Sequence, residues 1–132
     1  MKTIEVVAAI IRQGDSILAT QRGYGEFEGF WEFPGGKIEQ GEEPEIALVR
    51  EIQEELAVRV EVGARLCTVR YAYPTFNLAM QCYWCRIVEG TPALLEHKSA
   101  RWLTAETLGE VEWLPADIAV VESIGQQLGQ QG

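Results

Sequence analysis

Residues 50–56 read REIQEEL and place three glutamates, Glu51, Glu54 and Glu55, within one short run. Like charges three or four residues apart on a helix repel by about 0.2–0.5 kcal/mol per pair. Such crowding suits either a solvated acidic face or a cation held among the carboxylates. At about 100° per residue, Leu48, Val49, Ile52 and Leu56 fall on one arc of a helix, and the three glutamates fill a second. A solvated face usually intersperses lysines at i+4, yet the only cation in the last two turns before Ala57 is Arg50, at the edge of the acidic arc. Carboxylates this close raise one another's pKa unless a cation offsets the repulsion. Mg²⁺ and Mn²⁺ take hard oxygen ligands and bridge carboxylates to substrate phosphates. Spacing alone leaves the metal site and the plain acidic face equally open. The preceding Gly35-Gly36 allows close backbone approach and offers a carbonyl ligand, which shifts the balance toward metal.

The elements that must position these groups follow from periodicity and breakers. Residues 4–12 read as a strand buried on both faces, Gly14-Asp15 as a turn, and 16–21 as the returning strand of a hairpin. Residues 23–29 form a glycine-rich loop, and 30–33 (FWEF) are β-like until Pro34. Glu42 and Glu43 before Pro44 signal a helix start, and that helix should run to about Ala57. Residues 58–73 are β-rich with a break at Gly63, 78–88 form another strand, and 100–103 a short one. Pro115 opens a second helix ending near Leu128, with a frayed tail over 129–132. Strands with two well-separated helices give an α+β fold, a mixed-sheet sandwich.

The chain has 132 residues, fitting one domain over 1–132, with an ordinary hydrophobic share of 47%. A net charge of −9 argues against a polynucleotide partner, since phosphate backbones are bound by basic surfaces. A phosphorylated small molecule remains compatible when divalent ions lie between the two negative partners. The apolar run at 6–11 is too short for a membrane span or a signal peptide. Three cysteines cannot all pair within the chain, which suits a reducing cytoplasm. Cys82 and Cys85 form a CxxC without a second Cys/His pair for zinc, in a β-like run and not at a helix start, so they read as buried or half-buried thiols.

Gly36, five residues, Glu42, seven residues, and then residues 50–58 (REIQEELAV) together resemble the Nudix box. That pattern is G-x5-E-x7-R-E-U-x-E-E-x-G-U, with U aliphatic. The one departure is Ala57, which stands at the late glycine. Alanine takes a left-handed cap uncomfortably, so the helix exit is expected to differ slightly. Residues 4–11 (IEVVAAII), 20–22 (TQR), 31–37 (WEFPGGK) and 114–118 (LPADI) resemble the MutT-type branch. That branch includes enzymes cleaving oxidised guanine nucleotides and the similar CTP pyrophosphohydrolases.

The resemblance implies an α/β/α sandwich around a mixed sheet and a set of residue roles. Glu51, Glu54 and Glu55 would ligate Mg²⁺, or Mn²⁺ in its place, assisted by the Gly35 carbonyl. Glu42 and Arg50 would hold loop and helix in register beside Gly36. Glu96, six residues before Trp102, matches a loop glutamate that helps bind metal or activate water. The implied reaction is hydrolysis of a nucleoside triphosphate to the monophosphate and pyrophosphate, by attack of water at the β-phosphorus. Any of Glu51, Glu54, Glu55 and Glu96 can serve as the proton acceptor.

Base selection falls on other residues. Asp117 sits where MutT-like enzymes place a base-reading Asn or Asp, Phe33 would pack on the base, and Arg22 would contact the base or the phosphates. A carboxylate there accepts from guanine N1–H and N2–H₂ or from cytosine N4–H₂, so an 8-oxo-dGTP-type substrate and CTP or dCTP both stay open. The plain structural readings are an Asp117 that caps the second helix, a Phe33 that is simply core, and a His97 that is only a loop residue. Residues 73–77 lack an arginine expected in MutT itself, which counts against strict 8-oxo-dGTP specificity. A non-catalytic nucleotide-binding module is the alternative of another class, and the intact glutamate set counts against it.

Overall fold

A computed structural model of the chain describes residues 1–131, with side chains described through Leu128. The elements are β1 (Thr3–Gln13), β2 (Ser16–Arg22), β3 (Trp31–Glu32), β4 (Gly35–Lys37), α1 (Pro44–Leu56), β5 (Arg59–Tyr73), β6 (Phe76–Glu89), β7 (His97–Leu103) and α2 (Pro115–Gln131), with a 3₁₀ turn at Leu108–Glu110 before α2. The helix opened by Pro115 runs to Gln131, past its expected end near Leu128, while the side chains of 129–131 and Gly132, where the frayed tail was expected, lie outside the described residues. Among the described residues no helix is long and apolar enough to cross a membrane.

β1 is the axis of the fold. It runs parallel to β6 from Thr3↔Asn77 to Ile11↔Cys85 and antiparallel to β4 at Val6–Ala8. Beyond Arg12 it turns through Gly14 into β2, which pairs with β3 and β7. The resulting mixed sheet is covered on both faces, as the unbroken apolar run in β1 requires. Ala8 and Ile10 pack with Met80, Cys82, Leu103, Val120 and Ile124 on the α2 side. Val7, Ala9 and Ile11 pack with Leu48, Ile52, Leu56 and Val58 on the α1 side. The two helices thus close an α+β sandwich.

Three local features differ from the sequence expectation. The expected β-like stretch at 30–33 shortens to Trp31–Glu32, and the stop at Gly35-Gly36 is itself strand β4. A Cβ at Gly35 would run into the Val7 carbonyl oxygen, so this strand needs glycine to lie so close to β1. β7 begins at His97, three residues before the expected start, because its register with β2 extends to Arg22↔His97 through a bulge. The break foreseen at Gly63 is a pair of register shifts between Val62 and Cys67 in an otherwise continuous β5.

α1 begins with Pro44 at its first turn and no side-chain cap from Glu43. At its other end Ala57 adopts the left-handed cap that alanine was expected to avoid, with φ 57° and ψ 34°, and its N–H donates to the Gln53 carbonyl at 3.0 Å. The helix exit is therefore the ordinary one, built with a strained residue. The terminal carbonyls of α1 do not go to waste in water: Ala93 N–H donates to the Leu56 oxygen at 2.9 Å and Leu95 N–H to the Glu55 oxygen at 3.3 Å. This clasp leads the chain directly to Glu96 and His97. Because a left-handed alanine costs about 1 kcal/mol more than glycine, Ala57→Gly should stabilise the protein by about 1 kcal/mol. Urea unfolding measures this, and an unchanged or lower midpoint would show that Ala57 carries no strain.

Candidate active site

Arg50 organises the acidic end of α1. Its Nε and Nη2 donate to the two carboxylate oxygens of Glu42, each at 2.9 Å, and Nη2 also reaches the Lys37 carbonyl at 3.2 Å. Nη1 donates to Glu51 Oε1 at 3.0 Å and to Glu54 Oε2 at 3.4 Å. Glu42 also accepts the Glu39 N–H at 3.0 Å, so the loop and the helix are locked together. The Arg50 hydrogen bonds, helped by the Glu39 N–H, hold the Glu42 carboxyl down at about 2. Arg50 and Glu42 are thus joined by two hydrogen bonds across the loop.

Glu51 lies against the backbone of Gly36, where a Cβ would collide with its carboxylate. Partial burial raises its pKa, against the lowering effect of Arg50, and Glu54 and Glu96 push it further up. Glu55 is buried and held at both oxygens: Oε1 accepts the Gly35 N–H at 3.1 Å, and Oε2 stands 3.1 Å from His97 Nε2. Burial raises the Glu55 pKa, and the His97 hydrogen bond opposes it. His97 is therefore no loop residue. It is a strand residue whose side chain is buried and fixes Glu55, and its Nδ1 is left buried with no hydrogen-bond partner among the described residues. Glu54 is the outermost of the three, with 57% of its side chain exposed.

Glu51, Glu55, Glu96 and His97 line a cavity of about 370 Å³ floored by Gly35 and Gly36, whereas Glu54 lies outside this lining. Among the described residues no three metal-binding side chains are drawn together tightly enough to enclose an ion, because Arg50 draws on Glu51 and Glu54 while His97 occupies Glu55. The donor set is nonetheless that of a hard divalent cation: several carboxylate oxygens on one cavity, Glu51 among them with its pKa raised by burial first and then by Glu54 and Glu96, beside a glycine backbone with no Cβ in the way. The residues fit such an ion.

A second cavity of about 150 Å³ adjoins the first and shares Arg22, Glu32, Gly35 and Gly36 with it. Phe27, Phe33, Tyr73, Phe76 and Leu114 form apolar walls, and Asp117 is among the lining residues. Phe33 is 3% exposed and stacks on Trp113 at a centroid distance of 4.5 Å, so it is core and cavity wall at once. Asp117 does not cap its helix. Its Oδ1 accepts the Phe33 N–H at 3.2 Å, across the molecule from α2 to the end of β3. Burial pushes the carboxyl up to about 8, only partly opposed by that hydrogen bond. Arg22 is committed to Glu32, with Nε and Nη2 each 3.0 Å from a carboxylate oxygen.

Glu32, Tyr73, Phe27 and Phe76 are cavity residues that the sequence reading did not single out, and His97 is one that it read as a plain loop residue. The Tyr73 hydroxyl accepts the Ala116 N–H at 3.2 Å and so helps seat the start of α2. Glu32 had a signal: it stands in the FWEF strand on the face shared with Arg22 of β2, one cross-strand step away.

The fold and the box residues together define a Nudix protein. A family model described as the NUDIX domain matches residues 6–123, and the chain belongs to that family. It is 36% identical to the CTP pyrophosphohydrolase of Escherichia coli over 124 residues, covering 93% of this chain and 92% of that one. It is 35% identical to the putative 8-oxo-dGTP diphosphatase 2 of Mycobacterium tuberculosis over 127 residues, covering 93% and 89%. Among solved structures, that of the E. coli ORF135 protein superposes with a TM-score of 0.82 at 35% identity, over 94% of this chain and 89% of that one.

The buried Asp117 makes a pH prediction. Its pKa in the folded protein, about 8, lies above its ordinary value of 3.8. Between these the folded state binds the extra proton, so this group's contribution to stability falls as pH rises through that window. Asn keeps an acceptor for the Phe33 N–H without the charge. Asp117→Asn should therefore lose less stability than the parent between about pH 5 and about pH 8 in urea unfolding. Parallel pH profiles for the two would show that Asp117 does not titrate this way.

Proposed function

We propose that the protein hydrolyses nucleoside triphosphates to the monophosphate and pyrophosphate, with the phosphates at the acidic cavity and the base in the aromatic one. The observation that supports this most is the adjoining of the two cavities at Gly35-Gly36, with carboxylates on one side and a single buried carboxyl among aromatic rings on the other. Its relatives named CTP pyrophosphohydrolase and 8-oxo-dGTP diphosphatase act in the same sense.

Glu51, Glu54, Glu55 and Glu96, with the Gly35 carbonyl, are the groups that would hold Mg²⁺, or Mn²⁺ in its place. Such an ion neutralises charge on phosphoryl oxygens and helps supply the nucleophile. The chain's own residues do the rest. Arg50 aims Glu51 and Glu54 along one face of α1, and His97 with the Gly35 N–H fixes Glu55. A carboxylate of this cavity accepts the proton of the attacking water, and the nucleoside monophosphate leaves.

Asp117 reads the base in a way that its burial alters. A carboxyl that keeps its proton at neutral pH offers one donor and one acceptor, unlike the all-acceptor carboxylate expected from the sequence. That pair complements an edge with one acceptor beside one donor. Cytosine presents N3 beside N4–H₂, and 8-oxoguanine presents O6 beside N7–H. Both substrate classes therefore fit this pocket, with oxidised guanine nucleotides as the first reading and CTP or dCTP as the second. An acidic protein with free thiols fits a reducing cytoplasm, where these nucleotides occur.

A panel of 8-oxo-dGTP, dGTP, CTP and dCTP, assayed with Mg²⁺ and with EDTA, tests the reading. Pyrophosphate should appear with at least one substrate and vanish with EDTA; orthophosphate as the only product, or no turnover of any triphosphate, would overturn it. Glu54→Gln should lower kcat by about 100-fold or more while stability stays within about 0.5 kcal/mol of the parent, since Glu54 is exposed. Near-normal turnover would remove Glu54 from the metal site.

A further inference from the structure

The CxxC at Cys82 and Cys85 does not bring its own sulfurs together. Cys82 belongs to the α2-side core and Cys85 to the α1-side core, on opposite faces of β6. The Cys85 thiol donates to the Tyr83 carbonyl at 3.6 Å. The cysteine that Cys82 meets is Cys67, its direct partner across the antiparallel β5–β6 pair. Both lie on the α2 side, Cys82 fully buried and Cys67 half-buried against the same cluster. Directly opposed residues of an antiparallel pair have Cα atoms about 4.5 or 5.5 Å apart, and a disulfide spans about 4.4–6.8 Å. Strand register, just past the β5 shift between Arg65 and Cys67, therefore sets these two residues directly opposite each other, and their thiols share a hydrogen bond.

The two thiols are also unequal. Hydrogen bonds from Cys82 and from Ser123 of α2 draw the Cys67 thiol below its ordinary acidity range, against its partial burial. Burial pushes Cys85 up to about 12, which leaves it inert. Cys67 is thus the more acidic and the more accessible thiol, and Cys82 stands behind it as a protected partner.

We propose that Cys67 and Cys82 are a redox modification site, closing to a reversible disulfide on exposure to hydrogen peroxide. The Cys67 thiolate attacks one peroxide oxygen, the O–O bond breaks, and the departing hydroxide takes up a proton to give water and a Cys67 sulfenic acid. The Cys82 sulfur then attacks the Cys67 sulfur. The S–S bond forms, the S–O bond breaks, and the hydroxyl leaves with the Cys82 proton as a second water. Peroxide is reduced, and the two thiols are oxidised. Leu78 and Met80, on the same face of β6 as Cys82, line the base cavity, so the bond closes beside that pocket.

Peptide mapping after peroxide treatment and alkylation of remaining thiols tests this on the intact chain. The expected product is one Cys67–Cys82 linked peptide, lighter by two hydrogens, abolished by dithiothreitol, with Cys85 alkylated throughout. Cys85→Ser should keep the linkage and Cys67→Ser should lose it. Cys82→Ala, which suits the apolar site, should let Cys67 advance to sulfinic acid. Irreversible oxidation of Cys67 in the parent protein without a linked peptide would overturn the proposal, as would a linkage through Cys85 or one between two molecules.

Discussion

The guanidinium of Arg50 is the interaction on which the acidic end of the molecule depends. Three glutamates within one helical stretch would repel one another and unsettle the last turns of α1. Arg50 meets two of them directly and spends its other edge on Glu42 and the Lys37 carbonyl. A planar fork with five donors can do this, and a lysine point charge could not hold the same geometry. Its partners lie on both sides of a loop, so one side chain also sets the distance between β4 and α1.

Backbone supplies what Arg50 does not reach. Gly35-Gly36 runs so close to β1 and to Glu51 that neither position has room for a Cβ. The Gly35 N–H is then free of side-chain shielding and bonds Glu55. On the far side, the chain that satisfies the α1 C-terminal carbonyls through Ala93 and Leu95 continues into Glu96 and His97. A single device thus ends the helix and delivers two cavity residues. The left-handed Ala57 is the turn that makes this possible, which is why its strain persists.

How much of this is legible in the sequence depends on whether the relationship is local. The acidic arc, Arg50 and the apolar stripe of α1 follow from helical periodicity, and the core strands follow from unbroken apolar runs. His97 and Glu32 do not, because their places depend on which residue of β2 opposes β7 and β3. Nothing near His97 encodes that register, and for Glu32 the one local signal is its place in the FWEF strand. Asp117 was visible as a candidate, but its bond to Phe33 joins positions far apart in the chain and replaces the helix cap that local rules suggest. Cys67 and Cys82 illustrate the same limit: nothing local links two residues so far apart in the chain, and strand register sets them opposite each other.

The charge balance of the cavities connects the two ends of the site. The acidic cavity is lined by Glu32, Glu51, Glu55 and Glu96 against Arg22 and Lys37, and Arg22 is already paired with Glu32. At an effective dielectric near 20, a unit charge about 4 Å from a like charge costs about 4 kcal/mol. A triphosphate entering this cavity alone would meet several such terms, with few unengaged cations to offset them. The site therefore suits a phosphorylated substrate only when divalent cations come with it. The same paired Arg22 borders the aromatic cavity, where burial raises the Asp117 carboxyl well above its ordinary range and Glu32 adds to it, against the lowering effect of the Phe33 N–H and of Arg22. One ion pair, Arg22 with Glu32, thus stands between an acidic cavity and an aromatic one and lines both.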